Sequence, residues 1–486
     1  MSEEIKTLEP RLLWENFYAL TQIPRPSKKE LKAALYIKEF GEKLGLETIQ
    51  DPLGNVIIRK PATPGFENRK GVILQSHIDM VSQANSHSNF NFETDPIDAY
   101  VDGEWVTARE TTLGADNGIG VATSLSILQS KEIKHGPIEV LVTIDEETGM
   151  TGAVALEAGL MKGDILINLD SECEEEISVG CAGGIDVNAS WSFEDDLDVV
   201  GDKAYKVYIS GLKGGHSGLD INLGRGNACK LMGRFLKKAI AEYGVRLSSI
   251  NCGNMRNAIP REGVAIITLP GDQAEPFLDF VKKTEATWIN ELGRVEQTLK
   301  LSAVEVDMPE LLIPEMIQDD LINAICAARN GVIRMSDSMP GIVETSTNLS
   351  IIFSGKGFIE VKCLTRGFVD SARDGIASSL ESCFQLAGAK VELTGAYPGW
   401  KPNPSSAIVA IAKETASKFF GRELHKVAVH AGLECGILGS TYPNWDMMSI
   451  GPNIQWPHSP DERVQIKSVE RFWDFLVKIL ENVPAK

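Results

Sequence analysis

The sequence predicts an α/β fold with a mixed sheet, interrupted by an inserted α+β domain. Short runs rich in valine, isoleucine and leucine at 71–75, 139–144 and 165–169 alternate with helical stretches. Continuous apolar runs suit strands that are buried on both faces, and their alternation with helices is typical of a layered α/β domain. Between residues 186 and 397 the strands instead alternate apolar and polar residues, which predicts half-exposed strands in a separate α+β domain.

The helices of the α/β part are predicted from apolar residues at helical spacing. Residues 10–46 predict helices that are broken by the loop Ile-Pro-Arg-Pro-Ser at 23–27. The α/β pattern returns after residue 407, with a strand at 427–430. Further helices are predicted at 118–129, 151–158, 407–419 and 468–483.

These changes of pattern divide the 486 residues into one domain formed by 1–185 and 398–486 and an inserted domain formed by 186–397. A chain of this length exceeds one typical domain. Within the insertion, the order strand, helix, strand occurs at 263–306 and again at 357–393. Sequence identity between the two halves is slight, so this repeat is predicted from the pattern alone.

The chain is acidic, with a formal net charge of −19. Nucleic acids and anionic membranes attract basic surfaces, so neither is expected as a partner. The N-terminal segment lacks the apolar stretch of a signal peptide, and no apolar run approaches the ~20 residues that span a bilayer. We therefore expect a cytoplasmic protein. The eight cysteines form no C-x-x-C pair, which argues against a disulfide or zinc-finger framework.

The residues that can carry chemistry follow directly after the predicted buried strands. His77 ends the first of these strands, and Asp79 is near enough in sequence to orient its imidazole. The simpler alternative for this position is a structural histidine at the strand end, with its ring nitrogens hydrogen-bonded. Because open α/β sheets bind ligands beyond the carboxyl ends of their strands, the position also suits a binding site.

Acidic residues occupy the equivalent positions elsewhere in the chain. Asp116 lies just before a predicted helix, so it is either a helix cap or a ligand. Glu146 and Glu147 follow another buried strand, and adjacent residues point in different directions, so one can bind a metal while the other faces a substrate. The alternative is a solvated acidic turn. Asp170 follows the third buried strand.

A histidine in a rigid loop completes the set. His458 is bracketed by prolines, which reduce the entropy lost when the loop is fixed. Two histidines and three carboxylates suit divalent zinc, cobalt or manganese, and a carboxylate such as Asp116 can bridge two ions about 3.5–4 Å apart. The predicted ligands are His77, Asp116, Glu147, Asp170 and His458.

Six strings in this order, SHIDMV, GADNGIG, DEETGMTGA, NLDSE, GGHSG and PHSPDE, resemble the zinc aminopeptidase and carboxypeptidase-like co-catalytic metallopeptidases. The resemblance extends from the IPRPS loop to the C-terminal helix and is to a branch that cleaves dipeptides. It implies a mixed-sheet zinc-peptidase catalytic domain with an inserted α+β lid domain. It also implies hydrolysis of Xaa-His and other dipeptides with two divalent metal ions, zinc being expected and cobalt or manganese being the alternatives.

The resemblance implies a role for each metal ligand. Asp116 would bridge the two ions, and its peptide bond to Asn117 would be cis. His77 and Asp170 would bind one ion. Glu147 and His458 would bind the other.

The resemblance also implies the catalytic and substrate-binding residues. Asp79 would support the histidine ligand next to it, and Glu146 would be the general base. His216, in the string GGHSG, would contact the substrate. Asn257 and Arg366 would hold the substrate carbonyl and carboxylate, although a surface salt bridge is an equal alternative for Arg366.

The remaining histidines receive no ligand role. His430 lies in a string, HAGLECG, that resembles the substrate-pocket loop of the family. His87, His135 and His425 are expected to be structural or exposed.

The length of the insertion bears on how His216 reaches the substrate. In relatives with shorter lids, the equivalent histidine comes from the partner subunit. This insertion is about twice as long as one such unit needs, so we expect one half to fill the place of a partner's lid. His216 and Arg366 would then serve one active site within a single chain, which leaves homodimerisation through other surfaces open.

Two other classes of function fit parts of the sequence. A related hydrolase could use the same metals on N-acyl amino acids, tripeptides or longer peptides. A metal-binding or scaffold protein could keep the ligands without catalysis, but the presence of both Glu146 and Asp79 argues against it.

Overall fold

The computed structural model describes residues 3–486, which form two compact units. The first unit contains the chain up to Gly180 together with Pro402–Ala428 and Leu433–Lys486, and the second contains Cys181–Lys401 with Val429–Gly432. Helices and mixed sheets alternate in the first unit, so the predicted fold class is confirmed. Within residues 3–486, every helix is too short or too polar to cross a lipid bilayer.

The first part of the first unit contains four helices and eight strands, after a 3₁₀ helix at Glu3–Thr7. The helices are α1 (Arg11–Thr21), α2 (Leu31–Lys43), α3 (Ala115–Gln129) and α4 (Thr151–Ala155). The strands are β1 (Glu47–Gln50), β2 (Val56–Lys60), β3 (Val72–His77), β4 (Ala99–Asp102), β5 (Trp105–Ala108), β6 (Ile138–Thr143), β7 (Ile165–Asn168) and β8 (Glu176–Cys181).

The second unit contains eleven strands and four helices, with a 3₁₀ helix at Gly271–Gln273. The strands are β9 (Gly183–Ser192), β10 (Lys203–Ser210), β11 (Gly215–His216), β12 (Arg246–Cys252), β13 (Ala258–Ile259), β14 (Gly263–Leu269), β15 (Lys300–Val306), β16 (Gly331–Met335), β17 (Val343–Gly355), β18 (Phe358–Gly367) and β19 (Lys390–Tyr397). The helices are α5 (Ala228–Tyr243), α6 (Ala274–Leu292), α7 (Glu315–Ala327) and α8 (Asp370–Leu386).

The chain then completes the first unit with three helices and four short strands. These are α9 (Ala407–Phe420), β20 (His425–Val429), α10 (Glu434–Thr441), β21 (Asp446–Ser449), β22 (Ile454–Gln455), β23 (Arg463–Gln465) and α11 (Ile466–Asn482).

The main sheet of the first unit has the strand order β1-β2-β6-β3-β7-β21-β8-β20. Its central strands β6, β3, β7 and β21 are parallel, whereas β1 and β2 are antiparallel to their neighbours. Every residue of β3, β6 and β7 is buried, as expected for strands that are covered on both faces. The carboxyl ends of the parallel strands therefore lie together along one edge of this sheet.

Helix α3 is buried on nearly all sides, and its sequence is correspondingly rich in small and apolar residues. Helix α11 instead buries one face, with Phe472, Leu476 and Ile479 at helical spacing. A smaller antiparallel sheet, β22-β23-β5-β4, holds the loop between β22 and β23 that carries His458.

The large sheet of the second unit joins two halves that have the same connectivity. In the order β15-β10-β14-β12-β17-β18-β9-β19, the inner half contributes the first four strands and the outer half the last four. Counting only the strands of this path, each half runs strand, helix, strand, strand, helix, strand, and in each the last strand lies beside the first. The outer half also contains β16, which precedes β17 in the chain and pairs with it. The inner half is inserted between β9 and α7 of the outer half, and β12 pairs with β17 where the halves meet.

Aromatic side chains fill much of the core of the inner half. Phe277 on α6 is fully buried, and its ring centroid lies 5.5 Å from that of Tyr205, 6.0 Å from that of Phe235 and 6.2 Å from that of Tyr243. Such rings contribute both apolar burial and favourable edge-to-face contacts. The packing of α6 on the sheet thus depends strongly on this one side chain.

We expect Phe277→Ala to lower the free energy of unfolding by about 3–5 kcal/mol, because it removes a buried ring and leaves a cavity. Leu386→Ala is the matched control, since Leu386 is 90% exposed and its truncation should change stability by less than about 0.5 kcal/mol. Urea unfolding of the second unit, followed by tryptophan fluorescence, measures both. Equal midpoints for the two variants would contradict this account of the core.

Candidate metal centre

The predicted metal ligands converge at the edge where the parallel strands end. His77 is the last residue of β3, Asp170 lies two residues beyond β7, and Glu147 lies four residues beyond β6. Asp116 stands at the start of α3, where its backbone is still non-helical. His458 comes from the loop after β22.

The first group of donors contains His77, Asp116 and Asp170. The Nε2 atom of His77 lies 3.2 Å from Oδ1 of Asp116 and 3.3 Å from Oδ1 of Asp170. The three donor atoms all lie within 4.8 Å of one another. One imidazole and two carboxylates therefore face a common point.

The second group contains Asp116, Glu147 and His458. The Nε2 atom of His458 lies 3.2 Å from Oδ2 of Asp116 and 3.0 Å from Oε2 of Glu147. Asp116 thus presents one carboxylate oxygen to each group, as a bridging ligand does. Its peptide bond to Asn117 is cis, which confirms the expectation for this bond.

The residues of both groups fit divalent cations. Donors at about 2.0–2.1 Å from a tetrahedral zinc ion lie roughly 3.3 Å from each other, which is close to the spacings found here. Glu147 Oε1 is buried and has no hydrogen-bond donor within the described chain. Buried carboxylate oxygens without a donor are costly, and cations would satisfy them.

The charges of the site shift the pKa values of its histidines upward. Hydrogen bonds to Asp116 and then to Glu147 raise the pKa of His458 to about 11. Burial tends to lower the pKa of His77, but the charge of Asp170 and the hydrogen bond to Asp116 outweigh it and raise the pKa well above its ordinary value. Since a histidine must be deprotonated to bind a metal, metal binding at this site should release protons.

Asp79 fixes the orientation of several neighbours. Its Oδ1 atom lies 3.3 Å from Nδ1 of His77, and its two oxygens accept the backbone N–H groups of Glu146 at 3.0 Å and Glu147 at 3.2 Å. The Ser27 hydroxyl also donates to it. Burial opposes ionisation, but its bond to and the charge of His77 outweigh burial, so the pKa of Asp79 falls to about 2.

Glu146 belongs to neither group above but forms a third group of possible donors. An oxygen of its carboxylate is within 4.8 Å of donor atoms of His77 and Glu147. Burial raises the pKa of Glu146 well above its ordinary value, and the charge of His77 opposes this rise. A carboxylate in such surroundings can accept a proton readily, as a general base must.

The second unit holds His216 in a defined tautomer. Its Nδ1 accepts the backbone N–H groups of Gly218 at 3.1 Å and Leu219 at 2.9 Å, so the neutral ring carries its proton on Nε2. Burial and then the charge of Arg366 lower the pKa of His216 to about 4. Near pH 7 this residue is therefore a neutral hydrogen-bond donor.

Arg366 lies close to His216 in the second unit, but Asn257 is presented differently. The buried guanidinium of Arg366 donates to the Ser217 hydroxyl at 3.3 Å and to the Tyr397 hydroxyl at 2.9 Å. Asn257 is exposed, and its backbone carbonyl accepts the N–H of Ser217 at 2.8 Å. Residues of both halves of the second unit thus meet around His216.

The remaining histidines do not join the donor groups. His430 is buried in the second unit, where its Nε2 lies 2.8 Å from the Ser346 hydroxyl, and burial lowers its pKa to about 3. His135 is buried and its Nδ1 lies 2.6 Å from the carbonyl of Gly136, whereas His87 and His425 are exposed.

Two buried residues next to the donors were given no role from the sequence, although both lie in the quoted strings. Arg25, in the IPRPS loop, donates to backbone carbonyls beside His77 and Asp116. Glu462, in PHSPDE, accepts backbone N–H groups around Asp116. Their positions within strings shared with the family could have marked them as candidates, but their contacts are visible only in the structure.

Comparison with known proteins places the chain in a family. Residues 73–482 match the model of peptidase family M20/M25/M40. The chain is 44% identical over 483 residues to the cytosol non-specific dipeptidase of Escherichia coli strain K12, covering 99% of this chain and 100% of the relative. It also resembles the crystal structure of aminoacylhistidine dipeptidase from Vibrio alginolyticus, with a TM-score of 0.94, 48% identity and coverage of 100% and 99%. An aminopeptidase structure from Bacillus cereus, with a TM-score of 0.58, 16% identity and coverage of 98% and 99%, shares the fold.

We expect Asp116→Ala and Glu147→Ala to lose bound metal, whereas Glu146→Ala keeps it and loses turnover by roughly 10²–10⁴-fold. The reason is that Nε2 of His458 lies 3.2 Å from Asp116 and 3.0 Å from Glu147, whereas the resemblance assigns Glu146 the role of base. Elemental analysis of the dialysed variants, paired with rate measurements, checks both statements. Loss of metal from Glu146→Ala would show that Glu146 is a ligand rather than a base.

Proposed function

The chain belongs to peptidase family M20/M25/M40 and is a hydrolase of peptide bonds, and we propose that its substrates are dipeptides, Xaa-His among them. The observation that carries the proposal is the pair of donor groups that share Asp116. The full-length similarity to two dipeptidases supports the substrate class. The aminopeptidase at 16% identity supports the fold alone.

We propose that the two donor groups hold two divalent ions, with zinc as the metal and cobalt or manganese as alternatives. Imidazole nitrogens and carboxylate oxygens are the donors that these ions accept. When bound, two such ions lower the pKa of water and polarise the carbonyl of the scissile bond. His77, Asp170 and Asp116 would hold one ion, and Asp116, Glu147 and His458 the other.

The residues around the ions divide the remaining work. Glu146 would take the proton of the attacking water and pass it to the leaving amine. Asp79 would keep the imidazole of His77 oriented and hold the turn that carries Glu146.

The residues of the second unit would recognise the substrate. His216, with its proton on Nε2, can donate a hydrogen bond to the oxygen that gains negative charge during the reaction. The guanidinium of Arg366 suits the carboxylate end of a dipeptide, because its planar donors pair with two oxygens. Asn257 would contact the substrate carbonyl.

Three further parts of the proposal follow from the relatives and from the pattern of the sequence. We propose a cytoplasmic location, as the name of the Escherichia coli relative states for that protein. The domain limits 1–185, 186–397 and 398–486 stay predictions, and so does homodimerisation.

The substrate class is tested by measuring kcat/KM for an Xaa-His dipeptide, other dipeptides, tripeptides and N-acetyl amino acids. We expect dipeptides to exceed the other classes by ~10²-fold or more, because a buried group that pairs with a terminal carboxylate or amine is left unsatisfied by a longer or blocked substrate. Glu146→Gln, purified in parallel, controls for contaminating peptidases. A higher value for tripeptides or N-acetyl amino acids would transfer the protein to the alternative hydrolase class.

We further expect His216 to act within its own chain, because Arg366 and Ser217 from the two halves of the second unit already meet in one chain. The experiment mixes inactive His216→Ala with inactive Glu146→Ala under conditions that permit subunit exchange. The mixture should stay inactive. Activity approaching a quarter of the wild-type value, the maximum for random exchange of equal amounts, would instead show that His216 crosses between subunits.

A further inference from the structure

We propose that Arg25 and Glu462 are positioning residues that hold the backbone of the bridging ligand Asp116 in place. Both side chains are almost fully buried in the first unit, each being 2% exposed. Neither belongs to the two donor groups. Their hydrogen bonds instead go to backbone groups of the segment that follows His77 and of the segment that leads to Asp116.

Glu462 gathers three backbone donors of the segment that leads into α3. Its Oε2 accepts the N–H groups of Leu113 at 2.7 Å and Gly114 at 2.8 Å. Its Oε1 accepts the N–H of Asp116 itself at 3.1 Å. Both carboxylate oxygens are thus committed to the segment that carries the bridging ligand.

Arg25 holds the same segment through carbonyl oxygens. Its Nη2 donates to the carbonyl of Gly114 at 2.6 Å, and its Nη1 donates to the carbonyls of Ile78 at 2.7 Å and Asp79 at 3.3 Å. Ile78 directly follows the ligand His77. The guanidinium therefore connects the end of β3 to the segment before Asp116.

Gly114 lies between the two side chains, with its N–H on Glu462 and its carbonyl on Arg25. Its φ angle is 71°, and a Cβ atom at this position would lie 2.5 Å from Nη2 of Arg25. Only glycine permits this close approach without displacing the guanidinium. The sequence, Gly114 included, is thus adapted to the clamp formed by Arg25 and Glu462.

The clamp links three segments that carry ligands. Glu462 is four residues after His458, and Arg25 reaches the carbonyl next to His77, so both histidine-bearing segments are tied to the backbone of Asp116. Because Asp116 offers one oxygen to each donor group, a shift of its backbone would change both groups together. Hydrogen bonds that orient ligands in this way typically affect metal affinity about 10–100-fold.

This inference rests on the proposed function only in taking the two donor groups as metal sites. The test titrates the metal-free protein with zinc ions against a chelating indicator and contains no peptide. An error in the proposed substrate class would therefore be detected only by the kinetic assay. An error in the proposed role of Arg25 and Glu462 would be detected only by the zinc titration. Wild-type protein that bound no zinc would overturn the proposed metal centre itself.

Glu462→Gln is the principal variant, because glutamine keeps the size but offers one acceptor oxygen and turns an N–H₂ group toward backbone donors. Glu139→Gln is the matched control. Glu139 is also buried, accepts the backbone N–H groups of Lys162 and Gly163 at 2.7 Å each and pairs with Arg59, but it lies on β6 away from the ligand-bearing end. Both variants should lower the melting temperature of the metal-free protein.

We expect the zinc dissociation constants of Glu462→Gln to rise about 10–100-fold at both sites, and those of Glu139→Gln to stay within twofold of wild type. Arg25→Lys provides a second variant, since lysine keeps the charge but cannot reach Gly114 and Ile78 together. It should weaken zinc binding in the same direction. Unchanged zinc affinities in both Glu462→Gln and Arg25→Lys would overturn the proposal. Failure of both variants to fold, while Glu139→Gln folds, would also overturn it, because Arg25 and Glu462 would then be needed for folding in general.

Discussion

Three carboxylates and two imidazoles converge within a few ångströms of each other in the first unit, and the negative charge of this group constrains everything around it. Like charges at such short distances repel strongly in a buried site. Several features offset this repulsion. The pKa values of His77 and His458 are raised, the carboxylate of Asp79 accepts backbone N–H groups, and the cationic guanidinium of Arg25 lies nearby. The pair of divalent cations proposed for the two donor groups would offset the remaining negative charge.

The parallel strands explain why the sequence alone located this group. A strand that is apolar along its whole length and ends in histidine or an acid places that side chain at a known edge of the sheet. His77 and Asp170 are direct cases, and Asp116 and His458 were recognised through the motifs around them. The adjacent Glu146 and Glu147 were assigned to different roles by resemblance, and this division stays a prediction, because both carboxylates lie within 4.8 Å of a His77 nitrogen.

Other features could not be predicted because they depend on partners far away in sequence. Glu462 accepts the N–H of Gly114, which lies 348 residues earlier in the chain, and no local sequence pattern predicts such a bond. The same holds for the pairing of β12 with β17, which joins the two halves of the second unit. The repeat of strand, helix and strand was visible as a pattern, but strand order within a sheet depends on long-range pairing that propensity does not encode.

The second unit is inserted in the sequence of the first, and this determines when the residues of the candidate metal centre become available during synthesis. The donors from β3, α3, β6 and β7 are complete by Asp170, but the last ligand, His458, is made only after the whole second unit and most of the first. Strand β21, which pairs with β7, also arrives late. A chain that has been synthesised only as far as the second unit thus holds one of the two donor groups, since the other requires His458. A product that stops before residue 458 therefore lacks the complete set of donors.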